Sequence, residues 1–101
     1  MKLLIVTAIA AHQQDVLKLF KASGIEAFSS SEIDGYKNIS SLIAAHSWFP
    51  SQPGGNESLL FFSFSEEDKV NQLLEKVQTF NANTENFNPI RAAVIAIEKF
   101  I

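Results

Sequence analysis

Cysteine is absent from this 101-residue chain. That excludes disulfide scaffolds, thiolate metal sites and cysteine nucleophiles. Basic residues are few: eight Lys and Arg, scattered without a stripe, against eleven Asp and Glu, for a net charge of −3. A nucleic-acid interface needs a basic footprint, so no nucleic-acid partner is expected. No Lys/Arg-rich amphipathic helix points to a membrane surface, and no apolar run approaches the about 18 residues of a membrane span. The opening run from Lys2 to Ala10 imitates a signal peptide, with Ala8-Ile9-Ala10 as its small-residue site. It is shorter than the about 15–30 residues such signals need, so it reads as a buried strand. Serines cluster at 29–31 and 40–41, but no G-x-S-x-G elbow or nearby base activates one of them. An enzyme is not expected.

What is present is a globular composition, 47% hydrophobic and 19% charged, sized for one domain over residues 1–101. Residues 2–10 are apolar and partly β-branched, a strand buried on both sides. Residues 12–23 form a helix with Val16, Leu17, Leu19 and Phe20 on one face, stopped by Gly24. His12 falls at its start, where a neutral ring can cap. A second strand covers 25–36, and a third covers 58–64. Ser65-Glu-Glu-Asp68 has the form of a capping box; it opens a helix with Val70, Leu73, Leu74, Val77 and Phe80 at near-ideal spacing. An Asn-rich loop over 81–89 precedes a fourth strand at 91–100. The order β-α-β, long loop, β-α-β gives an α+β fold, ferredoxin-like βαββαβ, an antiparallel sheet with two helices on one face.

Two helices cover only one side of such a sheet. Strand one nonetheless alternates Leu4, Val6, Ala8 with Leu3, Ile5, Ile9, and strand three alternates Leu60, Phe62, Phe64 with Leu59, Phe61. Strand four likewise sets Ala93, Ile95, Ile97 against Ala92, Val94, Ala96. A half-covered sheet should alternate apolar with polar, and large open apolar faces are rare on monomers. Burying about 500 Å² of this face contributes about 12 kcal/mol before association costs. Other copies of the chain are therefore expected to cover it.

Three stretches carry a family resemblance. MKLLIVTAI at the start resembles the first strand of the PII signalling superfamily, which includes nitrogen-regulatory PII proteins and CutA-like proteins. Ser31-Glu-Ile-Asp-Gly-Tyr36 is similar to the E-V-x-G-F/Y segment where the second PII strand enters its long T-loop. Ala93-Val-Ile-Ala-Ile-Glu-Lys-Phe100 resembles the last strand. The resemblance implies a cytoplasmic homotrimer with ligand sites in the clefts between subunits. It also implies a ligand-responsive loop over about 37–57 that can address a membrane transporter. PII proteins cradle ATP with a T-G-x-x-G-D-G-K-I stretch. The corresponding residues, from Phe80 to Ile90, hold no glycine and include Pro89, so a PII-type ATP cradle is not expected. Arg91 falls about where the lysine of that stretch lies and suits an anion.

The 37–57 connection exceeds what two strands need, and long loops tend to be functional. Its Ile39, Leu42 and Ile43 sit at helical spacing, and Trp48 and Phe49 argue against simple disorder. Tyr36, His46, Trp48, Phe49 and Arg91 are the candidate ligand or partner residues. A divalent metal is the second candidate ligand, held by His46 with Glu32 and Glu57 across a subunit cleft; Asp34 is a further carboxylate there. His12 and His46 lack paired ligand spacing, and a strong site needs three or four ligands. Three functions stay open: a PII-like sensor, a CutA-like metal-binding or metal-tolerance protein, and a small dimeric ferredoxin-like enzyme such as a monooxygenase.

Overall fold

The structure, a computed structural model, describes residues 1–35, 56–83 and 88–101. Strand β1 spans Lys2–Ile9 and leads through a 3-10 turn, Ala10–His12, into helix α1, Gln13–Ala22. Strands β2 (Ser29–Gly35) and β3 (Asn56–Ser65), helix α2 (Glu67–Asn83) and strand β4 (Arg91–Ala96) follow. The sheet order is β2-β3-β1-β4 with every neighbouring pair antiparallel. Each helix thus links two parallel strands with one strand between them, the ferredoxin-like arrangement.

Register decides which residues face the helices. Val6 lies opposite Phe61 and Ala92, and Ala8 lies opposite Leu59. These side chains share one face and meet Val16 and Phe20 of α1 and Val70, Leu73 and Val77 of α2 in a single buried core. Three rings knit its centre: Phe20 stands edge-on to Phe28 at 4.8 Å and to Phe61 at 5.6 Å. The opposite face carries Leu3, Ile5, Leu60, Phe62, Phe64, Ala93 and Ile95, alternating as the sequence predicts. Phe62, Phe64 and Ile95 keep 40%, 46% and 47% of their surface open, so within one chain this face is only partly covered.

Element ends depart from the sequence expectations for local reasons. β2 begins at Ser29 rather than residue 25, because residues 25–28 finish the helix and fill the core. The Ile25 N–H donates to Phe20 O, the Gly24 N–H donates to Lys21 O, and Gly24 takes φ 77°. This pair of bonds is the Schellman closure, with Ile25 and Phe20 both buried beneath it. Phe28 then turns onto Phe20 and Phe61. β3 runs longer than expected, from Asn56 to Ser65, because Gly35 and Lys2 supply partners at its two ends. β4 stops at Ala96 rather than residue 100, because its last partner is Lys2, where β1 begins. The capping box shifts as well. The Ser65 hydroxyl pairs with Ser63 Oγ at 2.6 Å, and the Glu66 carbonyl accepts the first turn's bond from the Val70 N–H. Glu66, not Ser65, is therefore the residue that opens α2.

Replacing Gly24 with Ala forces a β-carbon into the left-handed region at a cost of about 1–2 kcal/mol. Contact is not the cause, since the nearest atom to an added Cβ is Lys69 Cε at 3.7 Å. A G24A variant should unfold at lower urea concentration with an unchanged m-value, followed by circular dichroism at fixed protein concentration.

Candidate functional site

Two of the predicted carboxylates come together. Asp34 on β2 lies directly opposite Glu57 on β3, and Glu32 lies opposite Leu59. All three project on one face because they sit at alternate strand positions, and with Ile33 they line a shallow cavity of about 270 Å³. Like charges placed directly opposite repel, so this corner favours a cation. No group of three or more His, Asp or Glu that could hold a metal ion occurs among the described residues. His46, the proposed nitrogen ligand, lies outside them, as do Tyr36, Trp48 and Phe49 and the helix expected around Ile39, Leu42 and Ile43.

Arg91 opens β4 with an exposed side chain, and its strand partner is Thr7 of β1. Both lie on the face turned away from the helices. Thr7 is fully buried, and its Oγ1 has no hydrogen-bond partner. A buried hydroxyl of this kind costs stability until it is paired. Closed off in this way, the hydroxyl is not open to a ligand; the exposed Arg91 guanidinium is the group at this end of the sheet that suits an oxyanion.

Asn81, in the last turn of α2, fixes the approach to Arg91. Its Nδ2 donates to Ile90 O at 2.9 Å, and its Oδ1 accepts the Ile90 N–H at 2.9 Å. The side-chain amide thus acts as a one-residue strand partner. Ile90 itself is buried in the core, so the link between α2 and β4 is anchored at the residue preceding Arg91.

His12 sits at the N-terminal end of α1, as expected, but its ring does not cap the helix. Nδ1 lies 3.4 Å from Asp15 Oδ2, and the ring stands edge-on to Phe80 of α2 at 5.5 Å. The ring joins the two helices rather than facing the sheet's open side. Sequence reasoning missed Thr7 and Asn81. Thr7 was detectable as the single hydroxyl inside an otherwise apolar strand. Asn81 carried no local signal, since its partner lies nine residues away and is met only through folding.

Comparison with known proteins matches this architecture and no sequence family. Neither a protein-family model nor a curated protein matches the chain. Among solved structures, CPII, a nitrogen regulatory PII-like protein from Thiomonas intermedia, bound to ADP, AMP and bicarbonate, superposes with a TM-score of 0.63. Identity is 17%, over 99% of this chain and 94% of that one. The ferredoxin-like sheet is thus more narrowly a PII-like fold, the one that the resemblance implied. That likeness extends through the whole chain and rests on shape rather than on shared residues.

An Asn81→Ala variant leaves the Ile90 N–H and C=O without their partners, at a cost of about 1–3 kcal/mol. The expected result is a lower urea midpoint and faster amide exchange at Ile90 and Arg91 by NMR. Exchange at those two amides unchanged from the parent protein would remove the anchoring role.

Proposed function

We propose that this protein is a trimeric PII-like regulatory protein that binds a small ligand in the clefts between its subunits. The observation that carries the reading is the open sheet face. Across β1, β3 and β4 it is uncharged except for Arg91 at one end, and apolar but for Thr7 and Ser58 near that same end. A face without charge has no means of selecting a charged partner, and its natural complement is the same face of another copy. Three such faces packed inward give each subunit a cleft lined by its neighbour. Arg91 then stands at the edge of the covered region, where the anionic part of a ligand would be held. The PII-like neighbour's complex with ADP, AMP and bicarbonate supports adenine nucleotides and bicarbonate as the first ligands to test. The link before Arg91 has no glycine between residues 80 and 90, so a phosphate here would rely on side-chain donors more than on a backbone cradle.

In this reading Tyr36, His46, Trp48 and Phe49 belong to the loop that answers the ligand and carries the signal, with a membrane transporter as its partner. The protein acts in the cytoplasm and catalyses no reaction. No helix among the described residues is long and apolar enough to cross a membrane. A second reading, a CutA-like metal-binding role, draws support from Glu32 and Glu57 lining one cavity, with His46 as the nitrogen ligand.

Light scattering should give a mass three times the 11.2 kDa of one chain. A Phe62→Glu variant should fall apart to single chains while keeping its helical circular dichroism. Titration calorimetry with ADP, AMP and bicarbonate should show binding that Arg91→Ala weakens about 10- to 100-fold, the worth of a charge-assisted hydrogen bond. Parallel titrations with Zn²⁺ and Cu²⁺ test the metal reading. A single-chain mass for the parent protein at micromolar concentration overturns the trimer and its clefts together.

A further inference from the structure

Arg91 is the first residue of an edge strand, since the sheet order ends at β4. Its pairing with Thr7 is the last in the β1–β4 ladder, although β1 itself runs on to Ile9. A ladder opens first at such an end. The residues just before it take no hold from the sheet, because 88–90 belong to no helix or strand. The stretch from Phe80 to Ile90 also holds no glycine, so an anion here is met by a side chain rather than by converging backbone N–H groups. A side chain presents its charge from one place only when its own backbone is fixed. What fixes the start of β4 therefore bears on how well Arg91 can hold an anion.

Asn81 does so from the last turn of α2, by two bonds of 2.9 Å that run in opposite directions: Nδ2 donates to Ile90 O, and Oδ1 accepts the Ile90 N–H. The amide thereby gives Ile90 the pair of backbone bonds that a strand neighbour would supply. Burial of the Ile90 side chain in the core adds a second hold on the same residue. The turn that carries Asn81 is itself fixed. Phe80 packs against the core, its ring stands edge-on to His12 at 5.5 Å, and His12 Nδ1 lies 3.4 Å from Asp15 Oδ2 of α1. The clasp is thus mounted on a turn tied to the other helix. Each end of the Asn81 amide is engaged by Ile90, so its effect on an anion passes through the backbone it holds.

We infer that Asn81 is a positioning residue for the anion site at Arg91: its clasp on Ile90 keeps the first pair of β4 closed and presents the guanidinium from a single backbone position. The inference rests on the reading above, in which Arg91 holds the anionic part of a ligand, and adds the residue that sets the strength of that hold. On a frayed strand end, binding has to order the backbone as well as the side chain. With the clasp in place, only the side chain remains to be ordered. Asn81 raises affinity by removing that cost, without touching the ligand.

Titration calorimetry with ADP, AMP and bicarbonate on the parent protein, Asn81→Ala, Arg91→Ala and the double variant tests this. Circular dichroism and mass are checked first, so that only folded protein of parent mass is compared. Asn81→Ala should weaken binding about three- to tenfold, the cost of ordering one further flexible unit on binding. In the Arg91→Ala background the same change should have no further effect. A residue that only stabilises the fold leaves the affinity of the folded protein unchanged, and one that touches the ligand weakens binding in both backgrounds. Asn81→Gln keeps both polar atoms one methylene further out. It should lose less affinity than Asn81→Ala, and it takes that variant's place in the cycle if Asn81→Ala does not fold. An unchanged affinity for the Asn81 variants, or an equal loss in both backgrounds, overturns the inference and leaves the Arg91 reading standing. Binding of the three probes by Arg91→Ala as tightly as by the parent protein, or by neither of them, overturns both.

Discussion

The structure depends on one constraint: a four-stranded sheet carries apolar side chains on both faces and, among the described residues, has helices against only one. Pairing β1 with β3 and β4 in the observed register puts Leu4, Val6, Ala8, Leu59 and Phe61 on the helix side. The same register leaves Leu3, Ile5, Phe62, Phe64 and Ile95 on the other. Shifting any strand by one residue would exchange the two sets without reducing the total. The excess of apolar surface is thus a property of the strand pattern, and no change of register among the described strands removes it.

Where the chain leaves its regular elements, specific bonds decide the path. The Schellman closure at Gly24 steers residues 25–28 into the core, which delays β2 and opens the edge of β3 beyond Phe62. The Asn81 amide grips both backbone groups of Ile90, so the link after α2 returns to the sheet at a fixed point and Arg91 follows it. These are modest interactions, each worth about a kcal/mol or so. They matter because each sets the position of a feature outside the core: the unpaired edge of β3 in one case, the Arg91 guanidinium in the other.

A PII-like fold reached with 17% identity to a PII-like neighbour shows how little of that fold depends on particular residues. A βαββαβ chain with apolar strands and one amphipathic face per helix meets its packing requirements with many side-chain sets. Ligand chemistry has no such latitude, because it needs given donors at given places. The sequence between α2 and β4 illustrates the difference: from Phe80 to Ile90 it holds no glycine to let backbone approach a phosphate. Fold likeness and ligand likeness are separate properties, and the first does not supply the second.

Much of the architecture was legible in the sequence. The i, i+3, i+4, i+7 spacing of Val70, Leu73, Val77 and Phe80 specified a helix, Gly24 specified a helix end, and strict alternation in β1 and β3 specified two apolar faces. These signals are local, set by backbone periodicity and by which residues tolerate a left-handed turn. Three things were decided only by tertiary structure. Ser65 gave up its capping role because β3 runs on through it, paired with Lys2 of β1. Asn81 became an anchor because α2 ends beside Ile90. Phe100 met Phe64 because β4 runs out of partner at Lys2 and frees the chain beyond it. Each depends on groups that are distant in sequence or belong to different elements, and no periodicity along one segment encodes where another segment will stop.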